Sequence, residues 1–151
     1  MASAKDFFTI EQQDAIKQAI VAAEDNTSGE IRVHIDQKCT SDAMDEAVNV
    51  FAKLQMDKTE LRNGVLFYLA VEDKKFAILG DAGIHAVVPV HFWDIIKDNM
   101  RKYFTEAHFT EGLCLAIAEA GEQLKKHFPY HQQDVNELKD EVSFDNENAT
   151  K

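Results

Sequence analysis

Cysteine is scarce. Cys39 and Cys114 are the only two in 151 residues; they lie far apart and make no CxxC pair. Neither a zinc knuckle nor a redox pair is indicated. Two cysteines allow one disulfide, but a chain of this size needs none, and reduced thiols fit a cytoplasmic location. Long apolar runs are also missing: no window approaches the roughly 20 residues a membrane span requires. Residues 1–8 hold one lysine and no extended apolar stretch, which is not a secretory signal. The expectation is a soluble, cytoplasmic protein with no membrane insertion. Positive charge is short as well, with 16 Lys and Arg against 27 Asp and Glu and a net charge of −11. No Lys/Arg stripe offsets the repulsion of phosphate backbones, so nucleic acid is not an expected partner. The motifs HExxH, GxxxxGK[ST] and GxSxG are absent. So are a Cys-x5-Arg loop, an acidic-nucleophile motif and a two-metal cluster, so a phosphatase reading has no motif behind it.

What is present suffices for one domain with a full core, since 45% of the residues are apolar. No internal repeat or low-complexity tract occurs. Thr9 and Gln12 make a capping box for a first helix, in which Ile10, Ala15, Ile16, Ala19, Ile20 and Ala23 recur at helical spacing. Asp25 to Gly29 stop it. Glu30–Asp36 alternates strictly and predicts a strand with Ile31, Val33 and Ile35 on its buried face. Thr40 or Ser41 is expected to cap a second helix carrying Met44, Ala47, Val48, Phe51 and Leu54. The run Val65–Val71, apolar on both faces, predicts a central strand, and the polar turn 72–75 folds a third strand back from Phe76. Strand, helix and strand from Glu30 to Val71 imply a parallel pair joined by a right-handed crossover.

Gly80 to Gly83 end the third strand. A third helix begins near Pro89 with Phe92, Trp93, Ile96, Met100 and Tyr103 inward. A fourth runs from about Thr110 to Phe128 and stops at Pro129. Residues 7–130 are therefore expected to form the domain. Residues 131–151, with six carboxylates against two lysines, read as a flexible acidic tail.

In this order the segments TSGEIRVHI (27–35), RNGVLFYLAVEDKKFAILGDAGI (62–84), FW (92–93), FTEG (109–112), GEQLKKHFP (121–129) and DVNEL (134–138) resemble the TPM domain family. The likeness covers most of residues 7–142 and is strongest to the family's short, soluble bacterial version. It implies a three-layer α/β/α sandwich around a small mixed sheet with a βαβ crossover and a β-hairpin. For activity it implies acid phosphatase chemistry in some members, calcium or other divalent-ion binding in others, and assembly or repair of membrane complexes in others. Many members are secreted or membrane-anchored. This chain carries neither device, so the photosynthetic and receptor roles are not expected of it. It has Gly80-Asp81-Ala82-Gly83-Ile84 where the family commonly has Gly-Tyr-Gly-Leu-Glu, and Glu72-Asp73-Lys74 where many members have Asp-Asp-Arg.

Strand direction sorts the loop carboxylates into two groups. Glu30 begins the first strand, Arg62 and Asn63 precede the second, and Asp81 follows the antiparallel third. Glu30, Asn63 and Asp81 are the first candidates for a divalent cation such as calcium, magnesium or manganese, because carboxylate and amide oxygens are hard ligands. Arg62 is the candidate binding cation beside them. The structural alternative is a Glu30–Arg62 salt bridge with Asp81 capping a turn. Asp36 and Asp73, at the opposite edge, are the second-choice cation ligands, favoured by the rule that α/β sheets bind ligands beyond their strands' carboxyl ends. His34 is expected at the surface or as a capping partner, and Cys39 as a half-buried thiol.

The resulting expectation is a monomeric, calcium-type metal-binding or protein-interaction module without chemistry of its own. The alternative is a metal-dependent acid phosphatase, which rests on the resemblance.

Overall fold

The computed structural model describes residues 7–89, 91–129 and 142–144. Its sheet has four strands in the order β3-β2-β1-β4, formed by Glu30–Asp36 (β1), Gly64–Ala70 (β2), Lys75–Gly80 (β3) and Val142–Phe144 (β4). β1 runs parallel to β2 and to β4, and β3 is antiparallel to β2. Among the described residues five α-helices complete it: Ile10–Glu24 (α1), Ala43–Lys53 (α2), Ala82–His85 (α3), Phe92–Thr105 (α4) and Phe109–His127 (α5).

Alternation along the strands divides the core into two layers. Ile31, Val33, Ile35, Val65, Phe67 and Leu69 pack with Ile16, Ile20, Ile96, Leu113 and Ile117 of α1, α4 and α5. Leu66, Tyr68 and Ala70 point the other way and meet Ala47, Val50 and Phe51 of α2. β2, buried at every position, is the sheet's hydrophobic spine. The expected α/β/α sandwich, βαβ connection and hairpin are all present.

Local chemistry sets the boundaries. The Thr9–Gln12 capping box forms as expected, with each side chain on the other's backbone N–H (3.0 and 2.9 Å). α2, however, is capped by Asp42 rather than Thr40 or Ser41; its carboxylate accepts from the N–H groups of Met44 and Asp45. Val50 is buried against the sheet and Val48, expected inward, is exposed. Ile10, expected on the inner face of α1, is exposed too, since the helix meets the core only from Ile16 onward.

Three elements were not expected, the first a 3-10 turn at Met56–Lys58. α3 is a single short helix started by Asp81. β4 forms inside the stretch read as a tail; the rest of that stretch lies outside the described residues. β4 runs beside Val33–Ile35 of β1, and His34 there is inaccessible; Glu30, at the other end of the strand, is buried as well. Among the described residues β4 pairs with β1 from Val33 onward, and the Ile31 N–H donates to Glu24 Oε2 at 2.7 Å.

Candidate functional site

The amino edge of the parallel strands is built on three interlocked turns. Thr27-Ser28-Gly29 is clamped to the end of α5: the Thr27 hydroxyl donates to the carbonyls of Leu124 (2.9 Å) and Phe128, and Ser28 N–H donates to Phe128 O at 2.9 Å. The second turn, 59–63, is tied to the first, because Glu30 N–H donates to Asn63 O and Asn63 Nδ2 donates to Ser28 Oγ. The third, 81–84, sits on the second: Gly83 N–H donates to Arg62 O at 2.8 Å, and Asp81 N–H donates to Gly64 O at 2.9 Å. A Cβ on Gly83 would stand 2.2 Å from Leu61 O, so no other residue fits there undisturbed.

This scaffold holds Arg62 in the left-handed region, with φ at 51°, a conformation that costs a non-glycine residue about 1 kcal/mol or more. The strain aims its guanidinium at Asp81. Nε and Nη2 reach the two carboxylate oxygens at 2.7 Å each, and Ala82 N–H donates to Asp81 Oδ1 at 2.7 Å. Asp81 is 5% exposed at its side chain and Arg62 is 49% exposed. The hydrogen bonds and charge of Asp81 push the Arg62 pKa further up, so the guanidinium stays charged. Beside it lies a depression of about 250 Å³ floored by Val48, Phe51, Ala52 and Leu79.

The first-choice cation ligands therefore share this edge without forming a common cage. Asp81 is committed to Arg62 and to its own helix. Asn63 is buried with its amide turned to Ser28. Glu30 is buried at the start of β1, separated from β3 by β2, which at the usual strand spacing is roughly 10 Å of backbone. The ion pair runs from Arg62 to Asp81, not to Glu30.

At the carboxyl edge, Asp36 and Asp73 are also engaged. Asp73 Oδ2 accepts from Cys39 N–H at 2.7 Å, and the Lys75 ammonium donates to the carbonyls of Cys39 and Ser41, both at 3.0 Å. Asp36 lies within a polar chain that crosses three strands. Ser143 Oγ lies 2.7 Å from His34 Nδ1, His34 Nε2 lies 2.8 Å from Asp36 Oδ1, and the Tyr68 hydroxyl donates to Asp36 Oδ2 at 2.7 Å. Burial raises the Asp36 pKa, but the bonds from His34 and Tyr68 and the charges of His34 and Lys53 outweigh it and leave the pKa lowered. Burial and the bond to Asp36 push the Tyr68 phenol up.

His34 is thus an interior residue, not a surface one, and Cys39 is fully buried, its thiol against Ser41 O at 3.3 Å. The alternation of β1 does place His34 and Asp36 on one face. Ser143 was beyond reach, because its strand has no apolar signature. Serine, histidine and aspartate adjoin here, with Ser143 and His34 buried. Among the described residues no three His, Cys, Asp or Glu side chains form a metal-holding group, and no helix is long and apolar enough to cross a membrane.

A family profile described as the TPM domain matches residues 2–123. Among solved structures, the BA42 protein of the psychrophilic bacterium Bizionia argentinensis is 45% identical, with a TM-score of 0.87 over 95% of this chain and 99% of that one. The N-terminal domain of a P. gingivalis protein superposes with a TM-score of 0.67 at 17% identity, over 82% of this chain and 83% of that one. The N-terminal domain of cg2496 from Corynebacterium glutamicum gives 0.60 at 12%, over 78% of this chain and 74% of that one. These last two show the fold alone. No curated protein matches.

Proposed function

The chain belongs to the TPM domain family, and from that premise we propose that it is a binding module without chemistry of its own, contacting a protein partner through the Arg62 edge. The observation that carries this reading is the strained, half-exposed Arg62 beside a depression with an apolar floor, which Asp57 also lines, with Val48 and Leu61 about half exposed. Arginine flanked by apolar surface is the composition of an interface core. The rest of the edge is internally bonded and rigid, which lowers the cost of ordering it on binding. A net charge of −11 favours a partner of basic net charge. That partner would place an apolar side chain in the depression and an acceptor on the remaining Arg62 N–H groups.

A divalent cation of the calcium type is the second reading. It is favoured by the net charge and by the lowered pKa of Asp36, which keeps that carboxylate ionised. At the amino edge a cation would have to displace the guanidinium from Asp81. The metal-dependent acid phosphatase rests on the family alone. Its test is hydrolysis of p-nitrophenyl phosphate by the pure chain, with and without magnesium, calcium and manganese. The expected result is no turnover above buffer. Metal-dependent turnover that disappears in Asp81→Ala, with the fold intact, would sink the binding-module reading. The interface itself is tested by a photo-crosslinking residue at position 48, whose adduct in cells should vanish in Arg62→Glu. An adduct that Arg62→Glu leaves unchanged puts the contact elsewhere.

A further inference from the structure

A second hollow, of about 460 Å³, lies at the carboxyl end of β2, against Leu69, Ala70 and Val71. Its wall is a run of four aromatic rings meeting edge to face or tilted: Phe76 to Phe104 at 5.4 Å, Phe104 to Phe109 at 5.3 Å and Phe109 to Phe7 at 5.2 Å between centroids. The rings come from β3, α4, α5 and the residues before α1, so the wall is held by elements packed elsewhere in the core. This volume falls within the range that holds small ligands, and its place is where α/β sheets receive them.

The charge around it runs against the rest of the molecule. The chain has 27 Asp and Glu side chains and a net charge of −11, yet among the described residues no carboxylate lines this hollow, and Lys74, Lys75 and Arg101 do. Lys75 is occupied by the Cys39 and Ser41 carbonyls. Arg101 uses one amino group on Asp98 at 2.9 Å and lays its guanidinium 5.6 Å above the Phe76 ring, which leaves other donors at the mouth. Lys74 is exposed in the left-handed region, with φ at 56°. An apolar floor with two available cations at its lip suits a ligand with one anionic group and an apolar body.

We propose that this hollow binds a small amphiphilic anion, a carboxylate carrying a medium-length alkyl chain or one to two rings. The rings take the apolar body by area burial, and Arg101 and Lys74 take the carboxylate. The site is independent of the Arg62 edge, so either can fail without the other.

The test is an amide-shift titration of the full labelled chain with decanoate, with decanol and acetate as controls. Decanoate should give saturable shifts at Val71, Phe76, Arg101, Thr105 and Phe109. Decanol and acetate, each lacking one half of the ligand, should bind more weakly. Arg101→Glu and Lys74→Glu, both at exposed positions, should keep the native spectrum and weaken decanoate by roughly tenfold. Shifts scattered over exposed apolar residues such as Ile10, Ile95 and Leu115 would overturn the proposal. So would decanol binding as tightly as decanoate, or equal affinity in both charge-reversed variants.

Discussion

Arg62 and Asp81 meet side-on through two bonds of 2.7 Å, the arginine presented from a left-handed backbone and the aspartate from the cap of α3. The two ends of this pair are unequal. Asp81 is nearly inaccessible and also holds the Ala82 N–H, whereas half of Arg62 is in water.

Removing Asp81 should therefore cost more than removing Arg62. Asp81→Ala deletes a cap worth about 1 kcal/mol and leaves a guanidinium without its acceptor. Arg62→Ala leaves Asp81 bonded to Ala82 and open to rehydration. Arg62→Gly should recover part of the loss, because glycine adopts the left-handed conformation freely. Thermal denaturation is expected to rank Asp81→Ala lowest and Arg62→Gly above Arg62→Ala. The reverse ranking would mean that the backbone at 62 is not strained.

Two glycines should resist alanine for different reasons. A Cβ at Gly83 would meet the Leu61 and Arg62 carbonyls at 2.2 and 2.7 Å, backbone atoms that the turn cannot move without losing the Arg62 geometry. At Gly121 it would meet Ala23 Cβ at 2.6 Å, forcing α5 away from α1. Alanine normally stabilises a helix over glycine by about 1 kcal/mol, so a destabilised Gly121→Ala isolates the packing cost. We expect a loss of about 1–3 kcal/mol at each position in urea denaturation. A Gly121→Ala chain more stable than wild type would contradict the close crossing.

Acid stability should depend on Asp36. Its folded pKa lies below the unfolded value of about 3.9. Ionised Asp36 therefore contributes stability that is complete above about pH 4 and is lost as pH falls through the folded pKa. Tyr68→Phe removes one of the bonds that hold the pKa down. Its acid unfolding should begin at higher pH than that of wild type, and Asp36→Asn should flatten the limb. Superimposable acid unfolding curves for Tyr68→Phe and wild type would show that the hydroxyl does not support the carboxylate.

Much of this fold is legible in the residues. The Glu30–Asp36 alternation, the unbroken apolar run through β2 and the Thr9–Gln12 box each state their element locally. What escaped has a physical cause. β4 is three residues in an acidic stretch and gains its strand conformation from the exposed edge of β1, information held elsewhere in the chain. Strand direction correctly gathered Glu30, Arg62, Asn63 and Asp81 at one edge. It could not show that Arg62 chooses Asp81, because that choice depends on the left-handed turn and on Gly83 beneath it. The interior place of His34 is hidden in the same way, because one of its partners, Ser143, lies on β4.

Attachment of β4 should accordingly rest on the interior polar chain. Ser143→Ala leaves His34 Nδ1 buried without this partner, a cost of about 1–3 kcal/mol. Amide exchange at Ser143 and Phe144 should accelerate in that variant while exchange at Phe67 and Leu69 changes less. Equal acceleration in β2 and β4 would mean that β4 opens only with the whole domain.

The most direct test of the binding-module account is an amide-shift titration of the wild-type chain with calcium, then magnesium and manganese, in chelator-stripped buffer. With Asp81 committed to Arg62 and Asp36 to His34 and Tyr68, the account predicts weak shifts that do not saturate and that follow the acidic surface. Saturable shifts clustered at Glu30, Asn63 and Asp81, or at Asp36 and Asp73, would contradict it and make the divalent cation the ligand.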